Sequence, residues 1–404
     1  MTDRPHKPVK YKKAEGVMLT KYSLKMPREV YSGENALENI KPILVKNHAK
    51  KVAVFTGQDI IKAGLMDYPL QMIRESGAEI VMFDDMPREP SYIQVQEIID
   101  KFKVLGCDFI VACGGGSVQD AAKLASILVT DEYGVKELLE DPKRAHKCVK
   151  SLMIPTTAGT GAEATPNAIV GVPEKQVKIG IVNEEMIVDY VILDAVMIKK
   201  LPRKIAAATG VDALAHAIEC FTGNKANPFS DVFALKALDM ILNNIMDACN
   251  DPDAMEAKTQ MLIAAFLAGV AITSSGTTAV HALSYPLGGK YHIPHGDSNA
   301  ILLAPVMRFN EPYCRDRLAA AYDQCVHGEK TCTTDEEKSA YIISWLADIV
   351  KGLDIPTSLS KAYGVPAEDI DFLVDAGMQQ QRLLTNNMRP VTAEDARRLY
   401  EEIL

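Results

Sequence analysis

Four side chains in the second half of the 404-residue sequence have the types and spacing to hold a metal ion. In Gly210-Val211-Asp212-Ala213-Leu214-Ala215-His216, a carboxylate and an imidazole stand four residues apart. On a helix that spacing places both on one face, and the alanines around them let another helix approach closely. Taken alone, such a pair is more often an ion pair within a helix. Further along come His281 and, after Ile293-Pro294, His295. One carboxylate and three imidazoles suit iron or zinc rather than magnesium. The chain has only eight histidines, and three fall in this constellation, which favours a site over isolated core histidines. Four protein ligands with room for a fifth would leave the ion open to a substrate.

A second chemistry is written in the first half. The run Asp108–Cys113 (DFIVAC) reads as a buried strand and passes directly into Gly114-Gly115-Gly116-Ser117, after which Val118–Lys123 opens a helix. A backbone without side chains can pass close to an anion, and a helix N-terminus presents unpaired N–H groups with a favourable dipole. The pattern is not G-x-G-x-x-G, and a tight turn uses the same residues. Its place between strand and helix points to the pyrophosphate of a dinucleotide. The polar loop Pro155–Glu163 follows another strand end. In an open α/β sheet, ligands sit beyond the carboxyl ends of the strands, so the two loops are expected to flank one crevice.

The elements that must position these groups follow from periodicity. Lys51–Thr56, Glu79–Phe83, Asp108–Cys113, Ser151–Pro155 and Val188–Leu193 read as buried strands. Between them, Ile60–Ser76 and Ser91–Leu105 carry apolar residues at helical spacing. This alternation predicts an α/β dinucleotide-binding domain with a parallel sheet covered on both faces, over residues 1–200. From Leu201-Pro202 onward, Ile205–Phe221, Ser230–Ala248 and Ala254–Ile272 are rich in Ala, Leu and Met, which predicts an all-helical metal- and substrate-binding domain over 201–404. His281 is expected on a helix that Pro286 and Gly288-Gly289 terminate, with His295 following a loop. The apolar run Met261–Ile272 is too short to span a bilayer and suits a buried core helix.

Composition bounds the rest. The chain is 48% hydrophobic and 24% charged, ordinary globular usage. A net charge of −9 argues against a nucleic-acid binder, which needs clustered Lys and Arg. Eight cysteines without a C-x-x-C disfavour both a disulfide scaffold and a thiolate zinc site. The first twenty residues are basic and lack an apolar core, unlike a secretory signal. A soluble cytoplasmic protein without a membrane partner is expected.

The segments GGGSVQDAAK, PTTAGTGAEAT, TGVDALAHAIECF and HALSYPLGGKYHIPHGDSNAILL together resemble the iron-containing alcohol dehydrogenase family (group III), across nearly the whole chain. The resemblance implies the dehydroquinate synthase-like fold and reversible hydride transfer between a nicotinamide cofactor and an aldehyde or alcohol. It implies that Asp212, His216, His281 and His295 bind Fe2+, with Zn2+ the alternative. Gly114, Gly115, Gly116 and Ser117 would cradle the pyrophosphate. Thr156, Thr157 and Thr160 would line the dinucleotide, Lys178 would lie near the ribose, and Gly57 and Leu193 complete the expected cofactor contacts. Relatives often form dimers or larger homo-oligomers.

Two positions depart from the family pattern. Where several relatives carry a further histidine one turn after His281, this chain has Tyr285, expected with His295 to act catalytically as a proton relay or substrate-orienting group. Where many NAD-using relatives have Asp, this chain has Gly57. No Arg or Lys immediately follows to attract a 2′-phosphate, and NAD is favoured over NADP. The stretch His281–Gly289, with Gln379–Asn387, resembles the 4-hydroxybutyrate dehydrogenase branch and implies an anion-tailed aldehyde such as succinate semialdehyde. Lys290 and Arg382 are the candidate cations for the tail, and Asn167 a candidate substrate contact. Sulfoacetaldehyde, and small neutral aldehydes or diols of the lactaldehyde, propanediol or butanol type, are the alternatives. A dehydroquinate synthase-type lyase would need several basic residues where Leu287–His295 offers only Lys290. A nonenzymatic binding protein would tolerate loss of the metal set.

Overall fold

The computed structural model describes residues 21–87, 89–175 and 177–404; the basic opening segment lies outside the described residues. The first half contains the strands β1 (Glu29–Ser32), β2 (Lys51–Phe55), β3 (Glu79–Phe83), β4 (Phe109–Gly114), β5 (Lys150–Pro155), β6 (Asn167–Val172), β7 (Val177–Val182) and β8 (Tyr190–Leu193). Its helices are α1 (Ile40–Lys46), α2 (Gln58–Lys62), α3 (Asp67–Glu75), α4 (Tyr92–Leu105), α5 (Gly116–Ile127) and α6 (Val135–Glu140). Six strands form one parallel sheet in the order β1-β8-β5-β4-β2-β3.

Successive side chains on a strand point to opposite faces. Val52 and Val54 of β2 therefore pack with Ile40, Leu44 and Ile73 from α1 and α3, whereas Ala53 and Phe55 pack with Ile99 and Phe102 of α4 and Leu124 of α5. With both faces covered, β4 is buried along its whole length, which is why it reads as an unbroken apolar run.

The five runs expected as strands become β2, β3, β4, β5 and β8. Three strands were not anticipated. β1 adds a sheet edge beside β8, and β6 and β7 form a separate antiparallel hairpin. The expected helix over Ile60–Ser76 divides into α2 and α3, because Gly64 takes a left-handed conformation (φ +74°) between them.

From Arg203 onward the chain is helical: α7 (Arg203–Thr222), α8 (Pro228–Asn250), α9 (Met255–Ser274), α10 (Ala279–Tyr291), α11 (His295–Cys325), α12 (Asp335–Gly352), α13 (Leu359–Tyr363), α14 (Ile370–Met378), α15 (Gln381–Leu384) and α16 (Ala393–Ile403). Helix α7 is buried from Gly210 through Thr222 and packs on α8, α9 and α11. Helix α9 is apolar and long enough to cross a membrane by length and composition, but most of it is buried against these neighbours.

One expectation is corrected here. Pro286 and Gly288-Gly289 do not end the His281 helix; α10 runs through them to Tyr291. The stop is His292, left-handed at φ +54°, whose N–H caps the carbonyl of Leu287.

Two close approaches join the parts. A Cβ on Gly296 would fall 2.0 Å from the Ala208 carbonyl oxygen, so a glycine there lets the start of α11 lie directly on α7. A Cβ on Gly161, left-handed at φ +58°, would fall 2.7 Å from Gly269 Cα, so the loop after β5 meets α9 backbone to backbone.

Candidate metal centre and cofactor cleft

Helix α7 presents Asp212, His216 and Glu219 on one face at spacings of four and three. Helix α10 brings His281 against them, and the first residue of α11 supplies His295. Asp212 Oδ1 lies 3.8 Å from His216 Nε2, 3.6 Å from His281 Nε2 and 3.5 Å from His295 Nε2. The His216 and His281 rings stack with centroids 4.5 Å apart. These separations are too long for good hydrogen bonds. They are close to the ~3.4 Å expected between neighbouring ligands that each lie ~2.1 Å from one tetrahedral ion.

Charge gives a second test of fit. Asp212 and Glu219 are both buried carboxylates. Burial alone would raise each, but the neighbouring imidazoles reverse this and hold both below the usual carboxylate range. Two buried negative charges beside His216 and His295, which burial keeps neutral, match a divalent cation. Burial lowers His216, and it pushes His295 down to about 4, so both present a free lone pair. For His281 burial also acts downward, but Glu219 and Asp212 push it up to about 9. A cation among these atoms would replace the positive charge that His281 otherwise supplies. The residues fit a borderline divalent ion.

The residue that sequence reasoning missed is Glu219. Its Oε2 pairs with His281 Nδ1, while Oε1 accepts from Thr278 N (2.9 Å), Thr278 Oγ1 (2.7 Å) and Val280 N (2.9 Å). It thereby caps the first turn of α10 and turns His281 so that Nε2 faces Asp212. The available signal was a lone Glu three residues after His216, on a helix otherwise apolar there.

A cleft of about 520 Å³ runs from the start of α5 to this cluster. Gly116, Ser117 and Thr160 line it, with Asn167 and Lys178 from the β6–β7 hairpin and with Tyr285, His295 and Arg382. The Gly116 and Thr160 loops abut, since a Cβ on Gly116 would lie 3.0 Å from Thr160 Cγ2. Lys178 pairs with Glu89 at 2.6 Å, and its ammonium is 3.4 Å from where a Cβ on Gly288 would be. The Tyr285 ring stands 6.0 Å from that of His295, and burial raises its phenol, with Arg382 opposing.

Other expected residues stand back from this cleft. Gly114 and Thr156 bond each other across the β4–β5 ends, and Thr157 packs beside Gly115. Leu193 ends β8 with a buried side chain. Gly57 starts α2, and a Cβ there would fall 2.6 Å from Asp59 Oδ1. Lys290, a candidate cation for the substrate tail, pairs with Asp369 at 2.5 Å, has its ammonium 4.4 Å from the Phe372 ring centroid and is not among the residues lining the cleft. Lys225, not anticipated, lines the cleft with Arg382.

Comparison with known proteins agrees with this geometry. The family described as iron-containing alcohol dehydrogenase matches residues 27–195, and the C-terminal part of the Fe-containing alcohol dehydrogenase family matches 206–404. Long-chain-alcohol dehydrogenase 1 of Geobacillus thermodenitrificans is 31% identical over 372 residues, covering 91% of this chain and 93% of that protein. The 4-hydroxybutyrate dehydrogenase of Clostridium kluyveri is 31% identical over 384 residues, covering 94% and 99%. The structure of an alcohol dehydrogenase from Oenococcus oeni superposes with a TM-score of 0.89 at 26% identity, covering 95% of this chain and 100% of that one. With both halves matched in order, and the Asp–His cluster where they meet, the chain belongs to the iron-containing alcohol dehydrogenase family and is an oxidoreductase.

Proposed function

We propose that this enzyme transfers a hydride between NAD(H) and a small anion-tailed aldehyde or its alcohol, with succinate semialdehyde and 4-hydroxybutyrate as the representative pair. In this reading residues 1–200 bind the dinucleotide and 201–404 hold Fe2+, or Zn2+, and the substrate. The observation that carries it is a single cleft lined by a helix N-terminus at Gly116, by the Asp212–His295 cluster and by Arg382. Among the described residues the Arg382 guanidinium has no ion pair, which leaves its planar fork available to a carboxylate or sulfonate.

The division of labour follows. Ser117 and the N–H groups opening α5 suit a pyrophosphate. A bound iron or zinc ion supplies Lewis acidity to the carbonyl oxygen. Tyr285, its proton retained because burial raises the phenol, donates a hydrogen bond where negative charge develops. The cleft walls hold the two reactants together, which removes much of the entropic barrier. Asp59 Oδ1 sits beside Gly57, and a carboxylate at this strand end disfavours a 2′-phosphate. This supports NAD over NADP.

A cytoplasmic homo-oligomer completes the proposal. All eight cysteines are unpaired, as suits a reducing compartment, and the sheet edges β1 and β3 offer pairing surfaces.

The test is anaerobic reconstitution with Fe2+ or Zn2+, followed by NADH consumption across neutral, carboxylated and sulfonated aldehydes. Succinate semialdehyde should exceed propanal in kcat/KM by about tenfold or more, and Arg382→Ala should remove that preference while sparing propanal. Equal efficiency on both aldehydes would overturn the anion reading, and a maximum at sulfoacetaldehyde would transfer it to sulfonates.

A further inference from the structure

Asn299 lies one turn beyond His295 on α11, so the two side chains share a helix face. It is completely buried. Its Nδ2 donates to Asp212 Oδ1 at 2.7 Å and stands 3.2 Å from both His281 Nε2 and His295 Nε2. Those atoms belong to three of the four residues of the candidate metal centre. Its Oδ1, in contrast, is buried and has no hydrogen-bond partner among the described residues.

This asymmetry calls for a reason. A buried carbonyl oxygen without a partner is costly, so the amide is held by what its nitrogen gains. That gain is its bond to the buried Asp212 carboxylate, made while it lies against the two imidazole nitrogens. Glu219 turns His281 from behind, through Nδ1; Asn299 meets it from the front, through Nε2. No other described side chain touches Asp212, His281 and His295 together in this way.

We infer that Asn299 is a positioning residue of the metal centre: its amide keeps Asp212, His281 and His295 aimed at a common point and thereby sets the affinity for a divalent transition cation. The inference rests on the metal-dependent reading above. It assigns Asn299 no contact with substrate or cofactor. Partners of this kind orient the ligating groups before the ion arrives, and their loss characteristically weakens binding of the ion.

The experiment uses the full-length protein freed of metal by chelator, with Zn2+ alone as probe and a chromophoric chelator as competitor. Asn299→Leu keeps the volume and removes the donor; it should weaken Zn2+ binding by about ten- to a hundredfold. NADH affinity, read by fluorescence, should change less than about twofold in the same variant. If Asn299→Leu does not fold, Asn299→Ala removes the amide without adding bulk and carries the same expectation. Zn2+ affinity within about twofold of wild type in a folded variant would overturn the inference. Parallel loss of NADH and Zn2+ binding would mark a merely structural role and overturn it as well. Failure of the wild-type protein itself to bind Zn2+ or Fe2+ would instead remove the metal reading and this inference with it.

Discussion

Glu219 performs two tasks with one carboxylate, capping α10 and orienting His281. Sequence spacing revealed the Asp212–His216 pair because i,i+4 geometry is local. It did not reveal Glu219, whose partners at 278–281 are distant in the chain and adjacent only once α10 packs on α7. Arg382 and Lys290 illustrate the same limit from the other side. Both are cations near candidate motifs, yet only Arg382 reaches the cleft, because Asp369 and the Phe372 ring hold Lys290 elsewhere. Tyr285 was legible: four residues after His281 on one helix, it must share that face, and it does line the cleft. Burial raises its phenol, so it stays protonated through neutral pH and can lose its proton only on the alkaline side. Tyr285→Phe should lower turnover about a hundredfold or more, evenly across neutral pH, in steady-state assays with metal-loaded enzyme. Full turnover at every pH would remove Tyr285 from the chemistry.

Among the elements, the strands of the parallel sheet were readable because burial on both faces leaves an apolar run with no polar interruption. The β6–β7 hairpin was not. Its strands are only half covered, so neither is buried in an unbroken run. That hairpin nevertheless delivers Asn167 and Lys178 to the cleft. Helix α10 shows why Pro and Gly are weak stop signals inside a packed core. The buried contacts of His281 and Leu287 on α10 outweigh the lost N–H of Pro286. The start of α11 has the opposite character, since there a glycine is required. Gly296→Ala would drive a methyl group into the Ala208 carbonyl, which its Cβ would approach to 2.0 Å. A loss of about 3 kcal/mol is expected, read as a lower melting temperature. His295 should be displaced from Asp212 as α11 lifts, and unchanged stability would show that the helix ends can part without cost.

At the scale of the whole molecule, the net charge of −9 is not carried into the cleft, where Lys178, Lys225 and Arg382 stand against Glu89, Asp120 and Asp212. The change from strands to helices after β8 was plain from composition alone, whereas the joint between the two halves was not. Glu163 lies in that joint, in the loop after β5. Burial pushes its carboxyl up to about 7, with Lys123 and Gln119 opposing. A carboxyl raised on folding contributes its full stability below the unfolded value, near 4.5, and loses it as pH rises through about 7. Glu163→Gln should therefore be more stable than wild type above neutrality, by up to about 3 kcal/mol, and no different near pH ~4. Thermal melts of both proteins across that range check the sign, and a gap that widens toward acid would reverse it.

The contact of Gly161 with Gly269 in the same joint has a mechanical consequence. Two backbones that touch without side chains stand as near as chain can come to chain. Such a seat sets the distance between the loop and α9, and a methyl group at either position would hold the two apart.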